Sequence, residues 1–138
     1  MFLKLETAQQ MLAAAKAKCV ELQKTPSIAI VDPGGHLLAF ARMNGGRTNN
    51  VEIAQAKARG AAAFRRDASE MTSIFEQNAN FVTQLMHLMG DRLMIDIGSC
   101  VIRSKDGELL GAIAISGASA EEDEVIARAA ILAVKDKL

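Results

Sequence analysis

The sequence predicts an α+β domain: an antiparallel sheet of about five strands with helices on both faces. Three observations predict it. Two hairpin signals of the same design, Val31–Gly46 and Lys105–Ala118, lie in opposite halves of the chain. In each, a glycine-bearing turn joins apolar runs, and a glycine exit leads into a helix pattern. Apolar residues at three- and four-residue spacing precede the first hairpin and follow both, giving the order α-ββ-α-α-(β)ββ-α. With 138 residues, a single domain spanning 1–138 is expected.

The first helix spans Leu5–Gln23, with Thr7 as a candidate N-cap and Ala8, Met11, Leu12, Ala15, Cys19 and Leu22 on one face. Pro26 biases Thr25 out of the helical region and ends it. Ser27–Asp32 is a short strand, Pro33-Gly34-Gly35 a turn, and His36–Met43 the returning strand. Its apolar middle implies cover on both faces. Asn44–Asn49 is a loop. Thr48 or Asn49 caps a second helix over Asn50–Arg65, with Glu52 completing a capping box. Ala54, Ala58, Ala61 and Ala62 let this helix approach the sheet closely. Shorter helical stretches run over Ser69–Gln77 and Phe81–Leu88, and Leu93–Asp96 reads as extended. Gly98–Ser104 and Glu108–Ser116 are strands joined by the Asp106-Gly107 turn. Ser119 and Glu122 form a capping box for the last helix, whose acidic first turn suits the helix dipole.

Composition narrows the function classes. Lys plus Arg and Asp plus Glu both number 16, so the net charge is zero and a nucleic-acid partner is not expected. Five Phe with no Trp or Tyr leave few platforms for stacking bases. Zero net charge also opposes self-association only weakly. No apolar run approaches the roughly 20 residues that span a bilayer, and the N-terminus does not read as a signal peptide. A cytoplasmic protein without a membrane partner is expected. Cys19 and Cys100 have no metal-binding spacing, and Cys19 reads as a core residue.

The chemistry-bearing candidates are few. His36 and His87 have no second ligand at a metal-binding spacing, although a single axial ligand to haem iron needs none. No glycine run matches a nucleotide-binding motif. The glycine junctions Asn44–Asn50 and Ser116–Ala120 each lead into a helix, and they line one pocket if both hairpins share a sheet. Arg42 ends an apolar strand and Lys57 sits among alanines; each is either a solvated cation or a contact for an anionic ligand. Asn44, Ser116 and Gly117 complete the candidate set.

Asp32, Gly35, Leu37-Leu38-Ala39, Arg42-Met43, Gly45, Ile53-Ala54, Lys57-Ala58, Gly111-Ala112-Ile113, Ser116-Gly117 and Asp123-Glu124 resemble the GlcG/HbpS family of haem-associated proteins, and also the C-terminal domain of PduO-type cobalamin adenosyltransferases. The resemblance runs from about Leu5 to Val134. It implies a profilin-like fold, a homo-oligomer, and a haem or corrinoid ligand. Arg42 and Lys57 would meet the acidic periphery of that ligand, and His36 is the candidate axial ligand. The chain departs from the family pattern at Asn44, at Gly60 and around Cys100. The alternatives are a small enzyme acting on a hydroxy- or oxo-carboxylic acid, with Asp32, Asp123 or His36 as acid–base options, and an accessory protein of a cobalamin-dependent diol or glycerol dehydratase.

Overall fold

The structure is a computed structural model that describes residues 2–138. Its elements are α1 (Leu5–Leu22), β1 (Ser27–Val31), β2 (Leu37–Arg42), α2 (Asn50–Phe64), α3 (Thr72–Gln77), α4 (Ala79–Leu88), β3 (Ser99–Arg103), β4 (Leu109–Ser116) and α5 (Ala120–Ala133). The sheet has four strands in the order β2-β1-β4-β3, all antiparallel. The two hairpins therefore meet through β1 and β4, and the pairing of Ser27 with both Arg42 and Ser116 brings the two glycine exits to the same end of the sheet.

Among the described residues the expected fifth strand is absent. The stretch at 93–96 runs across α2 instead of along a strand edge, and Met94 N donates to Ala56 O at 3.1 Å, inside the helix. Gly60 makes this crossing possible. A Cβ there would stand 2.1 Å from Met94 O, so no larger residue could coexist with this path. The edge that a fifth strand would have taken is blunted by a side chain: Asp67 Oδ1 accepts from Val101 N on β3 at 2.8 Å.

The two faces of the sheet differ in kind. Side chains alternate along each strand, and Ile28, Ile30, Ile113 and Ile115 meet α1 and α5 through Met11, Ala15, Cys19, Ile126 and Ala130. The opposite face carries Ala29, Val31, Ala112 and Ala114 against Ala54, Ala58, Ala61 and Ala62 of α2. Each buried isoleucine contributes about 1.5–3 kcal/mol on the first face. The second face gains from closeness, because alanine on alanine lets the helix backbone descend onto the strands.

Local expectations need four corrections. Lys4, not Thr7, is the N-cap of α1, and Thr7 is buried within the helix. Asn49 is in helical conformation and makes no side-chain cap bond, because the residues before α2 already turn through Asn50 N to Arg47 O and Val51 N to Thr48 O. β2 is an edge strand and half exposed, not covered on both faces. The region from Ser69 is a 3₁₀ turn at Ala68–Glu70 followed by the short α3. The Ser119–Glu122 capping box is present in both directions, at 3.1 Å each. Among the described residues no helix is long and apolar enough to cross a membrane.

Cys19 and Cys100 are free and fully buried, and burial pushes their thiols up to about 11 and about 12. Neither should react with a disulfide thiol reagent at pH 8 in the folded protein, and both should react after denaturation. Gly60→Ala should lower stability by ~1–3 kcal/mol in a denaturant titration, because the 94 backbone cannot yield without losing its bond to α2.

Candidate functional site

Helix periodicity sets the site. Asn50, Ala54, Lys57, Ala58 and Ala61 recur at three- and four-residue spacing, so they share the stripe that α2 lays on the sheet. Lys57 is thus not a solvated cation: it is 1% exposed. Its Nζ donates to Ile115 O at 2.6 Å and stands 3.5 Å from Asp123 Oδ2 and 4.0 Å from Asp96 Oδ2. Asp123 comes from the first turn of α5 and is 5% exposed, with Oδ1 accepting from Ala118 N at 3.0 Å. Burial raises the pKa of the Asp123 carboxyl, partly countered by the Lys57 ammonium. An ammonium taken this far from water needs a partner and a carbonyl, and it has both.

Two glycines make room for the pair. Gly98 has φ +104, and a Cβ there would lie 2.5 Å from Asp123 Cβ and 2.9 Å from Lys57 Nζ. Gly117 has φ +131, and its Cβ would lie 2.8 Å from Asn50 Nδ2. Both conformations favour glycine. Beside them Ser116 Oγ donates to Asn50 Oδ1 at 3.0 Å, and both residues are buried. The result is a cleft of about 530 Å³ that Lys57, Asp123, Asn50, Ser116 and Gly117 line together with Arg47, Ile53, Met94 and Asp96. The junctions Asn44–Asn50 and Ser116–Ala120 do line one pocket, through Arg47, Asn50 and Ser116–Ala120.

Of the sequence candidates, Lys57, Ser116 and Gly117 come together in this cleft. Arg42 and Asn44 do not join them: they line a separate groove beside Lys16, Ala17 and Val20 of α1. His36 stands at the other end of β1–β2, about 20 Å along the strand from Arg42. There it lines a smaller hollow, of about 180 Å³, with Gly34, Gly35, Arg59, Ala63, Met89, Arg92 and Leu93. Arg59 Nε donates to Arg92 O at 2.9 Å. Burial lowers the pKa of the Arg59 guanidinium, and the neighbouring Arg92 charge adds to that. Among the described residues neither arginine has a carboxylate within 4.0 Å. His87, by contrast, lies on exposed α4 beside Asp91.

Sequence reading missed Asn50, Arg47, Asp96, Arg59 and Arg92. For Asn50 a signal existed, since it opens the buried stripe that also carries Lys57. Arg59 follows Lys57 by two positions and so points about 200° away around the helix. Nothing in the sequence pairs it with His36.

A four-stranded antiparallel sheet, helices on both faces and a buried lysine–aspartate pair define a small α+β module with clefts at both ends of its sheet. The chain belongs to the HbpS-like family: the profile of that family, described as haem-degrading HbpS-like proteins, matches residues 3–132. GlcG of Escherichia coli strain K12 is 32% identical over 116 residues, 80% of this chain and 78% of GlcG. The corrinoid adenosyltransferase PduO of Citrobacter freundii is 32% identical over 134 residues, which is 97% of this chain and 39% of PduO. The chain therefore spans well under half of that relative. The crystal structure of PduOC in complex with haem has a TM-score of 0.85 at 29% identity, covering 96% of this chain and 95% of PduOC.

Asp123→Ala should cost ~3–5 kcal/mol in equilibrium unfolding, because it strands the Lys57 charge. Adding Lys57→Met should recover more than half of that loss. Two effects that simply add would show that the pair is not coupled.

Proposed function

We propose that this protein is a haem-binding module, with the tetrapyrrole seated at the His36 end of the sheet. The observation that carries the reading is an exposed imidazole beside two arginines that lack acid partners. His36 is exposed and held by its own turn, with its N–H donating to Asp32 Oδ1 at 3.0 Å, and its ring lies beside Gly34. Arg59 and Arg92 offer two guanidinium groups to the two propionates of a haem edge, a pairing for which planar guanidinium is suited. Met89 and Leu93 line the same hollow, and Leu93 also borders an apolar groove of about 430 Å³ with Phe75, Val82 and Met86. These residues fit a haem laid across the surface rather than enclosed. His36 would be its axial ligand and the arginines its anchors, while the bound iron would supply the redox chemistry. Family membership and the haem complex of PduOC support the same ligand over a corrinoid.

Arg42 and Lys57, the anchors expected from the sequence, have no part in this seat. An oligomer belongs to the same reading. Helices α3 and α4 bury no residue of their own, and Ile74, Phe81 and Leu88 are 50%, 63% and 80% exposed. A second copy would cover the outer face of a haem that one chain holds from one side only.

Haemin titration tests the proposal, and the absence of Trp and Tyr leaves the Soret band standing far above the protein absorbance. One haem per chain is expected, with a Soret position that changes in His36→Ala. Affinity should fall about twofold to fivefold in each of Arg59→Ala and Arg92→Ala, as for exposed ion pairs. Light scattering should show a multimer. A titration identical in all three variants, or saturable binding of cobalamin with none of haemin, overturns the proposal.

A further inference from the structure

The Lys57 cleft lies at the opposite end of the sheet from His36 and takes no part in the haem reading. Its polar groups divide into those already committed and those free. Lys24 and Glu122 pair at 3.8 Å, Lys57 and Asp123 at 3.5 Å, and Glu122 also closes the cap of α5. What is left over is mostly donors, beside one acceptor, Asp96 Oδ2, whose ion-pair contact among the described residues is the long one to Lys57 Nζ. The Arg47 guanidinium has no ion pair or hydrogen bond among the described residues. Asn50 is 8% exposed, and its carboxamide oxygen is taken by Ser116, while its Nδ2 has no partner among the described residues. Lys57 has a third N–H, opposite only the long 4.0 Å contact to Asp96. Ser27, beside Ser116 in register, is fully buried with its hydroxyl unpartnered. Of these groups the Ser27 hydroxyl is the one fully enclosed, while the Arg47, Asn50 and Lys57 donors face the cleft, where a ligand can accept from them.

We propose that this cleft is a second binding site, for a short carboxylic acid with a hydroxyl or oxo oxygen on the carbon next to the carboxylate. Arg47 at the mouth takes the carboxylate. Asn50 Nδ2 and the third Lys57 N–H take the neighbouring oxygen, and Ile53 and Met94 form the wall against which a short carbon chain packs. Asp123 and Ile115 O hold the Lys57 ammonium in place, so Asp123 is a positioning residue.

The test uses the full chain without haem and sodium lactate and sodium pyruvate as probes, followed by amide and side-chain NMR and by calorimetry. At least one probe should give saturable shifts at Gly117, Ala118 and the Asn50 side-chain amide. Acetate, which lacks the second oxygen, should bind at least about fivefold more weakly. Arg47→Ala, at an exposed position that leaves the fold intact, should weaken binding about tenfold, which corresponds to the loss of one charge-assisted bidentate contact. Lys57→Met should weaken it further, read alongside its melting temperature. His36→Ala should bind the probes as the parent does, so failure of the haem seat leaves this result readable. Absence of saturable shifts with both probes, or binding unchanged in Arg47→Ala, overturns the proposal. So does equal affinity for acetate and lactate.

Discussion

The contact between the alanine face of the sheet and the alanine stripe of α2 is the constraint on which the rest depends. Without side-chain bulk on either side, the helix axis sits low over β1 and β4. Two consequences follow at once. A lysine in that stripe cannot reach water, so Lys57 is driven into the sheet end and must find its partners there. Further along the same helix, Gly60 presents bare backbone, and the chain returning toward β3 crosses over it. The same low packing thus sets both the buried charge and the path of the 93–96 segment, which carries Asp96 to the mouth of the cleft.

The isoleucine face has the opposite logic. It gains stability from area, through large branched side chains meeting α1 and α5. A sheet with one thick and one thin layer admits buried polar groups on the thin side. Polar groups there lie within hydrogen-bond reach of strand-end carbonyls, as Lys57 does with Ile115. The thick side is almost wholly apolar, with Thr7 of α1 and the two thiols as its buried polar groups.

The sequence made much of this legible, and the reasons can be stated residue by residue. Both hairpins were readable because turn chemistry is local: Pro33-Gly34-Gly35 and Asp106-Gly107 announce themselves. The α5 cap was readable because Ser119 and Glu122 sit at the required spacing. The convergence of the two glycine exits was readable from their common design. The strand count was not. Leu93–Asp96 has the composition of a strand, and only the tertiary proximity of Gly60 diverts it. The grouping of candidates also failed to show, because Arg42 and His36 occupy the two ends of one strand. Strand alternation gives a residue's face and says nothing about which distant element waits at each end. Lys57 could have been placed by counting, since it falls on the same helical stripe as Ala54, Ala58 and Ala61.

Helices α3 and α4 close the account from another side. They bury no residue, and the edge-on contact of Phe64 with Phe75, 5.3 Å between ring centres at 89°, is what ties their start to α2. The segment from 72 to 88 is therefore a thermodynamic unit of its own in the isolated chain. Its opening breaks that aromatic contact, the half-buried packing of Phe75, Val82 and Met86 beside the 93–96 segment and a few local bonds, and leaves the sheet with α1, α2 and α5 closed. Two unfolding stages of different free energy are expected of such a chain. Whatever settles on α3 and α4 raises the lower stage first, converting an independently melting arm into part of the cooperative fold.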